Sequence, residues 1–557
     1  MENEQDINTA GDSVIKKPNL AIRILHVIWA TLLAILLAAG IIMQAPWKVI
    51  VLIAIFLAAA TILPRRRRKW FWAGVGVVVL AVIVWILLPS NNDGWRPYTF
   101  DKELSQLQAR YAVPDADNAA IIYNQILATC KQKEANEPNL PDRWFDLVRS
   151  GPWSSKDQPE IAAWLEYHED TIDKILLATR LEKCSFPIVA DTFNLGIDMN
   201  RGSAMRHWAY TLIAAANNAL AEGGTNEAVE KFLAVLKIGK HVCQQPTTLD
   251  VLVGRACEAI ALGYINGVVV NNDAIEPYLN NIEKAVTDIR HDWATDLPGI
   301  IDSEKLMLKN MWGGLFYEVN SEGKVRLSRD PWAMIREQVK KTFAGSTEDD
   351  PEVKAAKEKW ACQGYWWKRF ARVQAILQWF FAPASPEELG RIIDESYEKY
   401  YAMTRPDADW SKQPQNMPVE ALFQLRPNFR QVAKVMARSD ETIYFALHDS
   451  YLRALMEQRT TRLIIALRRY KNTNGHWPEN LDALKGIAPA EIFVDPINGD
   501  SFVYRVTDED FTLYSKGKNN IDEGGEHKSN WPKEDSPDDQ LIWPRPAKLK
   551  AVQDKNG

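Results

Sequence analysis

The hydrophobic pattern divides the chain into three regimes. Three apolar stretches follow one another near the start, at 21–43, 49–63 and 70–88, each close to the roughly 20 residues a helix needs to cross a bilayer core. They predict three transmembrane helices. Trp29, Trp47, Trp70, Trp72 and Trp85 fall at or near the ends of these stretches, where amphipathic rings favour the headgroup region. Beyond a polar linker at 90–97, apolar positions recur every three or four residues, the spacing of amphipathic helices. Ala119, Ile122, Tyr123, Ile126 and Leu127 make one such face behind Asp117 as a cap. Val229, Phe232, Leu233 and Leu236 make another, capped by Thr225 or Asn226 after a Gly223-Gly224 break. A third runs through Ile275, Leu279, Ile282 and Val286, behind a capping box of Asp273 and Glu276. From Asp440 a long helical pattern passes through Leu447, Tyr451, Leu455, Leu463, Leu467 and Tyr470 and stops at Asn474-Gly475. The period then falls to two at Phe502, Tyr504 and Val506, and again at Phe511 and Leu513, which predicts short antiparallel strands near an Asn498-Gly499 turn.

The expected fold is therefore mainly α: three transmembrane helices, a large α-helical hairpin or array-like domain, and a small C-terminal α+β module of a long helix plus a short antiparallel sheet. The expected organisation is a disordered tail at 1–19, membrane helices at 20–89, the linker at 90–97, a helical extracytoplasmic domain at 98–439, the module at 440–546 and a disordered tail at 547–557.

Charge changes this picture by orienting it. Up to Gly94 there are 9 Lys and Arg against 5 Asp and Glu, and after it 57 against 67. Lys16, Lys17 and Arg23 precede the first stretch, and Arg65 to Lys69 fill the link between the second and third. Cytoplasmic loops retain positive charge, so both clusters are expected inside, with the N-terminus, and the acidic bulk outside. In a bacterium that is the inner membrane with the bulk in the periplasm. The acidic bulk also argues against nucleic acid as a partner.

Candidate chemistry is sparse. Cys130, Cys184, Cys243, Cys257 and Cys362 are odd in number and widely spaced; most are expected to be buried unpaired thiols, with Cys243 and Cys257 the one candidate disulfide pair. No His-Glu-x-x-His helix, Gly-x-Ser-x-Gly elbow, phosphate-binding loop or dinucleotide fingerprint occurs. His448, Asp449 and Ser450 are consecutive and point apart on a helix, so they make no triad. No catalytic or cofactor-binding residue is assigned. A Trp-rich stretch at 359–383 holds Trp360, Trp366, Trp367 and Trp379, interleaved with Lys368, Arg369 and Arg372. It reads as a stacking groove for a glycan or peptide, an interfacial segment, or an aromatic core with snorkelling cations.

The helices between Ala204 and Ile289 loosely resemble tetratricopeptide-like arrays, whose concave surfaces take protein partners. No 34-residue repeat is visible. Ala466-Leu467-Arg468-Arg469-Tyr470, Asn474-Gly475-His476-Trp477-Pro478, Leu481-Asp482-Ala483-Leu484, Asp495-Pro496, Tyr514-Ser515-Lys516-Gly517 and Asp522-Glu523-Gly524-Gly525 together resemble the C-terminal part of type II secretion major pseudopilins. The resemblance covers about 90 residues and implies a long helix on a short sheet with a calcium-binding last loop. Asn519, Asn520, Asp522, Asp538 and Asp539 fall where that calcium would sit. The prepilin cleavage pattern of those proteins is missing before the first apolar stretch, so a carrier of a pseudopilin-like module is expected and not a pilus subunit. The expected function is a non-enzymatic envelope scaffold or adaptor, linked to a secretion or pilus-like apparatus. The alternative is a membrane-anchored hydrolase or glycan-binding protein with the Trp-rich stretch as its cleft.

Overall fold

A computed structural model describes residues 94–129, 137–141, 144, 151–188, 199–289, 292–328, 382–405, 408–410, 429–507, 509–527 and 537–544. The three apolar stretches expected to cross the membrane lie outside the described residues. Among the described residues one helix, Thr248–Asn271, is long and apolar enough to cross a membrane, and it is mostly buried inside the protein.

The described chain is mainly helical with two small antiparallel sheets. It begins with β1 (Trp95–Pro97) and α1 (Asp101–Arg110), then α2 (Ala119–Thr129), α3 (Pro159–Tyr167) and α4 (Glu169–Thr179). Three long helices follow: α5 (Met199–Ala221), α6 (Thr225–Cys243) and α7 (Thr248–Asn271). Their connections are short, which forces antiparallel neighbours. Gly223, at φ 83°, makes the turn between α5 and α6, a conformation costly for any residue with a Cβ. After α8 (Leu279–Thr287) come α9 (Trp293–Phe316), β2 (Tyr317–Asn320), β3 (Val325–Leu327) and α10 (Pro386–Tyr397). The last helix, α11 (Phe429–Asn474), has 46 residues, about 69 Å at 1.5 Å per residue. The chain ends in β4 (Val503–Val506), β5 (Phe511–Ser515) and β6 (Gln540–Trp543).

The apolar stripes predicted on α2, α6 and α8 are buried, but three of the expected caps are replaced. Asn118, and not Asp117, caps α2: its Oδ1 accepts from Ala120 N at 3.1 Å and Ser185 N at 2.9 Å. No side chain caps α6, which starts after Gly224. Pro277 keeps Asp273–Tyr278 in a 3-10 turn, and Asn272 accepts from Ala274 N there, so α8 begins only at Leu279. Asp273 pairs with Arg468 of α11 instead.

Helices α6 and α7 cross with backbone against backbone. A Cβ on Gly254 would come within 2.7 Å of the Gly239 carbonyl oxygen and the Cys243 nitrogen, and one on Gly239 within 2.7 Å of the Gly254 oxygen. Cys243 and Cys257, the candidate pair, form no disulfide, in keeping with the reading of most cysteines as unpaired thiols. Both thiols are free, and the Cys243 Sγ lies 3.7 Å from the Val251 carbonyl across the same crossing.

Among the described residues the buried apolar side chains form two cores, and α11 runs through both. Its first half gives Phe429, Ala433, Tyr444 and Leu447 to the core of α1, α9 and α10; its second half gives Met456, Leu463, Ile464 and Leu467 to the core of α2–α8. In the first of these cores Lys309, with a side chain 2% exposed, donates to Glu103 and Asp394 at 2.8 Å each, joining α1, α9 and α10. In the second, Gln458 donates to the carbonyls of Val286 and Ile289 at 2.7 and 2.8 Å, and Arg468 to that of Val270 at 3.0 Å. These bonds reach carbonyls at or just past the C-terminal ends of α7 and α8.

The end of α11 carries the C-terminal sheet. Val503 pairs with Tyr514 and Leu513 with Trp543, in the strand order β4-β5-β6. Trp477, Phe502, Phe511, Leu513 and Trp543 bury its inner face, and both indoles are satisfied: Trp477 Nε1 by the Glu509 carbonyl at 3.1 Å and Trp543 Nε1 by Asp510 Oδ1 at 2.8 Å. Strand β6 was not visible in the sequence pattern.

Candidate functional site

A groove of about 510 Å³ lies between α4, α6 and α8. Its floor is apolar because α6 places Val229, Leu233 and Leu236 on one face and α4 and α8 add Leu176 and Ala285. Leu176 and Leu233 are only half-buried, and the neighbouring Leu177 is 50% exposed. The rim is charged. Lys237 and Lys240 converge on Glu182 at 2.5 and 3.1 Å, and the hydrogen bond from Lys237 leads in holding that carboxyl down at about 2. Arg180 lies 3.9 Å from Glu230. On the opposite lip, Lys284 and Asp288 line the groove without an ion pair among the described residues. An apolar floor with a polar, partly uncommitted rim is the layout of a protein-binding patch.

The C-terminal loop gathers the residues singled out for calcium. Gly517, at φ 63°, packs against Asp538 with no room for a Cβ. Asp538 Oδ2 accepts from Lys518 N at 2.9 Å, and Asp539 Oδ2 from Glu523 N at 3.0 Å and Gly525 N at 2.8 Å. The Oδ1 atoms of both aspartates are buried with no hydrogen-bond partner among the described residues. Burial, followed by the charge of Glu523, pushes Asp539 up to about 6. The other three residues are committed elsewhere. Asp522 accepts from the Tyr514 hydroxyl at 2.7 Å, Arg505 at 2.8 Å and Gly524 N at 3.0 Å. Asn519 bonds Ile521 N and Glu523, and Asn520 bonds Asp500. Lys516 and Lys518 are turned away, onto Asp500 and Asp449. Among the described residues no three His, Cys, Asp or Glu side chains converge as a metal-ligand set. What the loop does offer is two orphaned carboxylate oxygens, the hard donors calcium takes.

Trp360, Trp366, Trp367 and Trp379 lie outside the described residues. Trp312 packs edge-on against Phe429 at 5.4 Å and is part of the core around α9. Sequence reasoning missed a second aromatic cluster. His448 stacks on Trp410 at 3.9 Å, with Trp293 and Tyr451 around it, and burial lowers it to about 4. Asp449 beside it pairs with Lys518, so this triplet ties α11 to the C-terminal loop.

Buried acids form another group that the sequence did not reveal. Glu258, 2% exposed, sits in the α6–α7 crossing next to Arg255 and Cys243, and burial pushes it up to about 8. Burial pushes Asp440, beside Tyr397, up to about 7. Both are packed into helix contacts and read as structural. Comparison with protein-family models, with curated proteins and with solved structures found no match.

Proposed function

We propose that this chain is a multi-pass inner-membrane protein that holds its helical bulk in the periplasm and acts there as a scaffold, docking another envelope protein in the α4–α6–α8 groove. The observation that carries the reading is the groove itself: an apolar floor half-open to solvent, on rigid helices, under a rim whose Lys284 and Asp288 are uncommitted among the described residues. The apolar stretches at 21–88 and their flanking cations support the anchoring. The pseudopilin-like module suggests that the partner belongs to a secretion or pilus-like apparatus, an inference from analogy of sequence motifs. Where calcium binds the last loop, Asp538 and Asp539 hold it and the ion neutralises two buried carboxylates.

The test is affinity isolation of the full chain from crosslinked cells, compared with Leu233→Asp and Lys284→Glu variants. A specific envelope protein that disappears with both variants, while their melting curves match the parent, supports groove docking. Unchanged recovery from both variants would overturn it.

A further inference from the structure

Lys237 and Lys240 lie three residues apart on one face of α6, where two like charges repel unless an anion sits between them. Their side chains are only 16% and 27% exposed, so the packing of their stems holds both ammonium groups at the end of the groove. The anion between them is Glu182. Its two carboxylate oxygens take one lysine each, at 2.5 and 3.1 Å, and its side chain is 72% exposed. The backbone there is fixed: the Glu182 carbonyl accepts from Gln244 Nε2 at 3.1 Å and the Leu181 carbonyl from His241 Nε2 at 2.9 Å. The carboxylate can therefore swing into water without moving the chain, and a solvent-facing ion pair resists this only weakly. The lysine pair is also continuous with the apolar floor. Leu233 and Leu236 each precede one of the lysines by four residues, about 6 Å along the helix.

We propose that Lys237 and Lys240 form a carboxylate clamp, filled in the unbound chain by Glu182, and that the docked partner displaces Glu182 with an acidic side chain about 6 Å from an aliphatic one. This deepens the reading of the groove as a docking site and rests on it. Charge favours the exchange. Arg180, Lys237, Lys240 and Lys284 line the groove with Glu182, Glu230 and Asp288, so with Glu182 swung out four cations stand over two carboxylates, one of which already lies 3.9 Å from Arg180. The hold of the lysines on a carboxylate is visible in Glu182 itself, which their hydrogen bonds keep at about 2. Two residues one turn apart on a helix, or two apart on an extended strand, present the required spacing. Glu182 then acts as a built-in competitor: basic or purely apolar segments cannot replace it in the clamp, which confines the groove to acidic partners.

The experiment presents the full chain in detergent to an immobilised array of helical peptides, each carrying leucines and, one turn away, Glu, Gln or Lys. Four proteins are compared: the parent, Glu182→Gln, Leu233→Asp, and a double variant with Lys237→Met and Lys240→Met, which keeps the aliphatic stems. The proposal expects the parent to retain Glu peptides at least threefold more than Gln peptides and Lys peptides least. Glu182→Gln should raise Glu-peptide binding at least threefold, and the double variant should bind Glu and Gln peptides equally. Glu182→Gln, at an exposed position, decides the matter by itself where the double variant does not fold. Equal binding of Glu and Gln peptides by the parent and by Glu182→Gln, or a Glu preference that survives loss of both lysines, overturns the clamp; if that binding still falls with Leu233→Asp, groove docking stands. Binding that Leu233→Asp does not reduce, or no binding to any peptide, overturns the clamp and groove docking together.

Discussion

Replacing Glu258 with Gln should flatten a large part of the protein's pH response. Glu258 is held at about 8 in the folded protein against an ordinary 4.5, so folding takes up a proton between those values. A group raised on folding contributes its stability fully below the unfolded pKa and loses it as pH rises through the folded one. At about 1.4 kcal/mol per pH unit, and with the carboxyl half-ionised by pH 8, this group alone should cost the parent about 2 kcal/mol between pH 6 and pH 8. Gln keeps the shape and removes the titration. Urea unfolding of the full chain in detergent, followed by circular dichroism at pH 6 and pH 8, measures the slope. The parent should lose stability over that interval, and E258Q should lose about 2 kcal/mol less. Equal slopes for the two proteins would mean that Glu258 is solvated in the α6–α7 crossing, and the backbone-to-backbone packing described there would be wrong.

Three other outcomes follow from the same structure. Gly254→Ala places a Cβ within 2.7 Å of the Gly239 oxygen and the Cys243 nitrogen; it should destabilise by about 1–3 kcal/mol, read from the urea midpoint, and a neutral result would deny the close crossing. His241 accepts from the Tyr123 hydroxyl at 3.1 Å, donates to the Leu181 carbonyl at 2.9 Å, and is lowered by burial to about 4 from 6.5. Its contribution is complete above pH 6.5 and is lost as pH falls toward 4, so H241Q should lose less stability than the parent over that window. Calcium should raise the melting temperature of the parent and leave D539N unmoved, since that change removes one orphaned buried oxygen's charge; a parent that responds to neither calcium nor chelator contradicts a calcium role for the loop.

The sequence made the helices of the body legible because a buried face on a helix repeats every three or four residues, as Val229, Phe232, Leu233 and Leu236 do. It was less informative at helix starts, where Asn118 and Asn272 outcompete the neighbouring aspartates for the first free N–H groups and Pro277 delays α8. What decides the tertiary structure is harder to read. Gly239 and Gly254 are ordinary glycines until their helices touch, and the partnership of Lys518 with Asp449 joins residues 69 apart in the chain. Strand β6 carries only Leu541, Ile542 and Trp543 as an apolar run, too short to show a period of two. The groove was visible only as a general expectation of concavity, because its three walls come from helices ending at Thr179, Cys243 and Thr287. Of the five residues picked for calcium, local motif order located the loop, but only packing shows that Asp538 and Asp539 keep an oxygen uncommitted while Asp522 is taken by Tyr514 and Arg505.

Site-specific photocrosslinking in living cells tests the docking role most directly. With p-benzoylphenylalanine in place of Leu176 or Leu233 on the groove floor, and of Val506 on the C-terminal sheet as a control, the account predicts one discrete envelope-protein adduct from both groove positions and none from the control. Groove positions that give no adduct, or the same adducts as Val506, would contradict it.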